Sequence, residues 1–264
     1  MRLDLFWMTR DLFDERVGDV GFGLFTAGHF IWLAASFLLI VGIARLYGRG
    51  EERRRGDLRK LIALVLILSE IIKVCIIALT GAPNRYYLPL ELCILAEYVI
   101  LFDAFWPRRK LPGWLLAYSL APAAVLALLF PTAANYPVIH FFTIHQFLIH
   151  ALIAAYFIMR FRAGEIDTGY GGLWAEIGVL VLIVAVIDRL DAATGTNYMF
   201  LMDTEGNPPL GAFWDMTGAG RIPVSRFSDS GCRRIGTPDV RFLPGLACGP
   251  IEMPGEDPRR REVI

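Results

Sequence analysis

The chain has 264 residues, 55% of them hydrophobic and 20% charged, with a mean hydropathy of +0.49; a soluble domain sits nearer about 45–50% apolar and about 25% charged. The apolar residues fall in blocks of roughly 20, the length an α-helix needs to cross a hydrocarbon core ~30 Å thick. That excludes a soluble enzyme, a disulfide scaffold and a disordered chain, and the zero formal net charge supplies no global basic field for nucleic acid.

The first predicted element is residues 1–20. Arg2, Asp4, Arg10, Asp11, Asp14, Glu15, Arg16 and Asp19 interrupt any apolar core, and no cleavage pattern follows, so the stretch does not read as a signal peptide. Leu5, Met8 and Leu12 repeat at helical spacing, with Phe6, Trp7 and Phe13 adding bulk. This predicts a short helix lying in the membrane interface.

Residues 21–217 form the predicted transmembrane helix bundle, with six spans near 24–47, 61–80, 88–106, 113–131, 138–159 and 173–192. Cationic residues crowd the odd loops: Arg49, Arg53, Arg54, Arg55, Arg59 and Lys60 in the first, Arg108, Arg109 and Lys110 in the third, Arg160 and Arg162 opening the fifth. The second loop has Arg85 alone and the fourth, 131–137, has no charge. An excess of Lys and Arg marks cytoplasmic loops, so the expected topology has the N-terminus outside. Residues 218–264 break this pattern: 21 of these 47 residues are Arg, Gly or Pro, and no run could span. The segment reads either as a disordered extracytoplasmic tail or as an out-of-frame product that stands where a seventh span belongs.

Ionisable residues inside a membrane are costly and mark candidate sites by default. All four histidines (His29, His140, His145, His150) fall in predicted spans, as do Glu70, Lys73, Glu91, Cys93, Glu97 and Asp188. With the topology above, most of them converge in the outer half. At about 100° per residue, His140, Thr143, Gln146 and His150 form one polar stripe, and Cys93 and Glu97 share a face. Glu70 and Lys73, three apart, read as a structural ion pair, and His145, off the stripe, as a structural residue. The four cysteines make no CxxC pair, and histidines five apart do not share a face, so neither metal nor cofactor is expected. A Cys93 thiolate generated by a histidine on another helix would be a nucleophile. Interhelical hydrogen bonding without chemistry is the competing account.

Several segments carry a resemblance: Phe22-Gly23 with His29, then Leu88-Pro89-Leu90-Glu91-Leu92-Cys93, then the His150 stripe, and above all Thr194-Gly195-Thr196-Asn197-Tyr198-Met199-Phe200-Leu201. Over about residues 20–217 the chain resembles the YwaF-like family of bacterial integral membrane proteins, itself distantly similar to the eukaryotic transmembrane protein 164 family. The resemblance implies a seven-helix bundle. Most bacterial members have no assigned activity; the eukaryotic relatives are described as cysteine-dependent phospholipid acyltransferases. It further implies Cys93 as acyl-accepting nucleophile, His150 as its base, and Asn197 and Tyr198 in the segment lining the outer mouth; by helical rise His150 lies roughly 10 Å from Cys93 in depth, and His140, nearer in depth, is the fallback base. This chain has Glu91 where a histidine is expected, and it lacks the last helix.

The expectation is therefore an all-α, multi-pass inner-membrane protein whose partners are membrane lipids. Acyl transfer would use Cys93, His150 and His140, with His29, Glu91, Glu97, Asp188, Asn197 and Tyr198 binding substrate. The rivals are a small-solute or proton-coupled transporter with Glu97, His150 and Asp188 as a relay, and a non-catalytic membrane scaffold. Against transport, the two halves show no internal repeat.

Overall fold

The computed structural model describes residues 3–9, 21–80, 89–204 and 207–217, and among these the regular structure is helical throughout. In chain order the helices are α1 (Leu3–Phe6), α2 (Ala27–Gly48), α3 (Glu52–Leu79) and α4 (Leu92–Phe105). α5 (Lys110–Leu115) runs through a π-helical turn, Leu116–Leu120, into α6 (Ala121–Leu129). α7 (Phe141–Arg162), α8 (Tyr170–Thr194) and α9 (Pro208–Thr217) follow. Of the expected segments, the 81–88 loop, residues 10–20 and the 218–264 tail, with Cys232 and Cys248, lie outside the described residues.

Among the described residues five segments are long and apolar enough to cross a membrane: α2, α3, the stretch Lys110–Asn135, α7 and α8. Their outward faces are apolar as well. Phe30, Ile31, Phe37 and Leu38 on α2 and Val181, Leu182 and Val186 on α8 are exposed. A water-facing helix would carry polar residues there, whereas apolar side chains on every face suit lipid.

The expected third span is shorter than the other five. α4 has 14 residues, a rise of about 21 Å, against a core of about 30 Å. Prolines bound it. Pro89 lies two residues before its N-cap Glu91, and Trp106, just before Pro107, has left the helical region (φ −127°, ψ 58°). A residue preceding proline avoids the α conformation because the ring crowds its backbone. The π turn has a related cause. Pro122 has no N–H to offer the carbonyl of Tyr118, and the hydrogen-bond ladder widens one turn earlier.

α7 is the central helix, packed by α2, α3, α4 and α6. Phe147, Ile153, Tyr156 and Met159 on α7 are fully buried. Ala63 of α3, Ala96 and Ala104 of α4 and Ala124 of α6 belong to the same core. Such small residues let backbones approach closely, which matters in lipid because dispersion replaces the hydrophobic effect as the packing force. Packing of α8 on α5 depends on a glycine: a Cβ at Gly172 would stand 2.4 Å from Trp114 Nε1.

Polar groups lock the Arg-rich end. Asp103 on α4 forms an ion pair with Arg160 on α7 and accepts a hydrogen bond from Tyr156 Oη at 2.7 Å. Arg160 Nε donates to Glu165 Oε2 at 2.9 Å, and Tyr47 Oη donates to the same carboxylate at 2.7 Å. Arg59 Nη1 donates to Tyr47 Oη at 2.7 Å. Four helices and the α7–α8 turn are thereby tied together by one buried network.

At the other end, the N-terminal segment docks on the bundle. Met8 and Thr9 are buried, and the Leu5 carbonyl meets the His140 ring. The expected interfacial helix is, over residues 3–9, a single turn seated on the start of α7.

Candidate functional site

The end of the bundle away from the Arg-rich network encloses a cavity of about 700 Å³. Its walls come from α3, α4, α6 and α7 and from the segment after α8. Most of the wall is apolar, including Leu92, Ala124, Leu126, Ile149, Ile153 and Phe200. The polar groups on it are Lys73, Glu91, Cys93, His145, Gln146 and His150, together with Asn197, Tyr198 and a few others.

Cys93 and His150 line one cavity from two helices. Cys93 is half-buried in the first turn of α4, which starts late because of Pro89. His150 Nδ1 lies 2.7 Å from the Gln146 carbonyl one turn back. A carbonyl oxygen only accepts, so Nδ1 carries the proton. Nε2 therefore keeps its lone pair, the tautomer a general base requires. Among the described residues no hydrogen bond joins the Cys93 thiol to a histidine ring.

Part of the wall is the segment that follows α8. Gly195 closes the helix in the left-handed conformation (φ 65°, ψ 35°), a conformation that costs glycine nothing because it has no Cβ. Asp191 Oδ1 then accepts from Thr196 Oγ1 at 2.7 Å and from the Tyr198 N–H at 3.0 Å. Asn197 Oδ1 accepts from the backbone N–H groups of Met202 (2.8 Å) and Asp203 (2.9 Å). Met199 and Phe200 adopt positive φ (55° and 58°), which for side-chain-bearing residues costs of order 1–2 kcal/mol each. Glu91 Oε2 accepts from the Met199 N–H at 3.2 Å and helps hold that strained turn against α4. Glu91, Asn197 and Tyr198 accordingly stand on the cavity wall, and the Thr194–Leu201 stretch is a folded turn.

Other candidates stand elsewhere. His140 is the N-cap of α7: its Nδ1 accepts from the Phe142 N–H at 3.3 Å, and its Nε2–H donates to the Leu5 carbonyl at 3.0 Å. His29 has both nitrogens committed as well, accepting from the Phe25 N–H and donating to the Leu128 carbonyl, each at 2.9 Å. Both rings staple chain segments together and neither lines the cavity. Glu97 is fully buried, one turn beyond Cys93, and also off the cavity wall. Asp188 is exposed on α8; the buried acid of that helix end is Asp191, three residues later. The proposed Glu97, His150 and Asp188 relay therefore does not converge.

Two residues read as structural do reach the cavity. Lys73 Nζ pairs with Glu70 Oε2 at 2.7 Å, and His145 Nε2 lies 3.8 Å from the same oxygen. Both Lys73 and His145 line the wall. The three-residue spacing signalled the ion pair, but nothing local signalled that a cavity opens beside it. Among the described residues no group of three or more His, Cys, Asp or Glu is placed to hold a metal ion.

No curated protein and no solved structure matches the chain. The sequence profile of the TMEM164 family matches residues 24–219, a stretch that includes every helix from α2 to α9 and the whole cavity wall. The chain is a multi-pass membrane protein and belongs to the TMEM164 family.

Proposed function

We propose that the cavity is an acyl-transfer site for a membrane lipid, with Cys93 as the nucleophile and His150 as the base. The observation that carries this is one apolar-walled cavity lined by both a thiol and an imidazole whose Nε2 is left as an acceptor. The chain would sit in an inner membrane as a YwaF-like member, N-terminus outside, with the cavity in the outer half. An acyl tail can then enter sideways from the bilayer and lie along Leu126, Ile149 and Ile153.

In the first half-reaction the Cys93 thiol loses its proton to His150 Nε2 through a water in the cavity, since the two groups do not touch. The thiolate attacks the ester carbonyl of a donor lipid. The tetrahedral adduct collapses, the C–O bond breaks, and the departing alkoxide takes the proton from His150. A thioester on Cys93 remains. In the second half-reaction a lipid hydroxyl, deprotonated by His150, attacks that thioester; the new ester leaves and the thiol is restored. No oxidant, metal or cofactor enters the balance.

The test is lipid acyl exchange by the full chain in membranes, with Cys93→Ser, His150→Ala and His140→Ala compared. Cys93→Ser and His150→Ala are expected to abolish turnover with insertion intact. His140→Ala should keep turnover in whatever fraction folds, because that ring only caps α7. A labelled acyl group should be trapped on the wild-type protein and released by hydroxylamine. Full activity in Cys93→Ser sinks the proposal.

A further inference from the structure

The Arg-rich end holds a second cavity, of about 510 Å³, that the acyl-transfer chemistry does not use. Arg59, Arg108, Arg109 and Arg160 line it, with Glu52 and Glu165 the acids on its wall among the described residues, and Phe105, Trp106 and Pro107 form an apolar side. Four guanidinium groups face two carboxylates, an excess of two positive charges.

Charges that only set membrane orientation can stay in water. Arg59 does not: it is 6% exposed. Its Nη1 is committed to Tyr47 and Glu165 and its Nη2 lies 4.0 Å from Glu52 Oε1, while its Nε is buried without a hydrogen-bond partner. A buried guanidinium donor left unfilled costs free energy, and Arg59 stands on the cavity wall. Arg160 is held rigidly by Asp103 and Glu165. Arg108 and Arg109 are exposed, and their side chains make no ion pair among the described residues. The site thus combines two fixed guanidinium groups with two free ones, beside an exposed Trp106 of the kind that settles at headgroup level.

We propose that this cavity binds the phosphate group of an anionic ligand, with Arg59, Arg108 and Arg109 as its donors. Guanidinium suits phosphate because its planar fork meets two oxygens at once, and basic pockets between membrane helices take anionic headgroups. The chemistry is shared by a lipid headgroup and a free phosphate, and the test separates them. The proposal is independent of Cys93.

The full chain in nanodiscs is probed with phosphatidylglycerol against phosphatidylcholine, and separately with inorganic phosphate, reading bound lipid by native mass spectrometry and thermal stability in parallel. Arg108→Gln with Arg109→Gln is compared with Arg53→Gln plus Arg54→Gln, which removes the same charge from exposed positions at the same end, off the cavity. A hydrogen bond from a charged donor is worth about tenfold or more, so the 108/109 pair should lower phosphatidylglycerol retention by about tenfold or more beyond the loss of general surface attraction that both pairs share. The 53/54 pair, off the cavity, should lower it only by that shared amount. Millimolar inorganic phosphate that stabilises the wild type and displaces the lipid assigns the site to free phosphate; lipid retention unmoved by phosphate assigns it to a headgroup. Equal losses in the two double variants, or no anion preference with either probe, overturn the proposal.

Discussion

Asp103→Ala should be among the most damaging single changes outside the cavity. The carboxylate is fully buried, and the Arg160 side chain it pairs with is 3% exposed. Removing one member of a buried ion pair costs about 3–5 kcal/mol, because the remaining charge is left without compensation. Arg160 retains Glu165 at 2.9 Å and the Pro107 carbonyl at 3.2 Å, which places this loss at the lower end, about 3 kcal/mol. The Tyr156 hydroxyl, fully buried, loses its acceptor as well, adding about 1 kcal/mol. The expected total is about 4 kcal/mol, measured as SDS-induced unfolding of the full chain in mixed micelles. Tyr156→Phe should lose only about 1 kcal/mol, since it removes donor and leaves the ion pair. A cycle of Asp103→Ala, Arg160→Met and the double variant should show coupling above about 1 kcal/mol, as contacting residues do. A loss below about 1 kcal/mol for Asp103→Ala, or strict additivity in the cycle, would mean that the network is a surface ornament and refute the argument.

Two further outcomes follow from packing and charge. Gly172→Ala should destabilise by about 1–3 kcal/mol through overpacking against Trp114, while neighbouring Gly171→Ala, whose Cβ would meet nothing within 4 Å, should be neutral or slightly stabilising in the same unfolding assay. If the cationic loops are cytoplasmic, an impermeant thiol probe on intact cells should label a cysteine placed at Asn84 and miss one at Gly56; the reverse pattern would move the cavity to the inner leaflet.

The sequence alone determined that this is a membrane protein and roughly where its helices run, and it singled out Cys93, His150 and the Thr194–Leu201 stretch, parts of which line one cavity. Hydropathy is local and additive along the chain, and lipid contact imposes it on every face of a spanning helix, so block length suffices to find the spans. Helical angle also sufficed to put Gln146 and His150 on one wall, because both lie well inside α7. It failed for His140, since the stripe assumes a helix there and α7 begins one residue later, leaving that ring to cap the helix and bind the Leu5 carbonyl. Asp188 and Asp191 are the same acid three residues apart. Which of them is buried depended on where Gly195 ends α8 and how the turn folds back. Arg160 reads in sequence as an orientation charge, yet its partner Asp103 lies 57 residues earlier. His29 meets a carbonyl 99 residues away. No local pattern carries such pairings. They arise because a polar group inside lipid must find a partner within the bundle, and only the packed arrangement of helices decides which one is in reach.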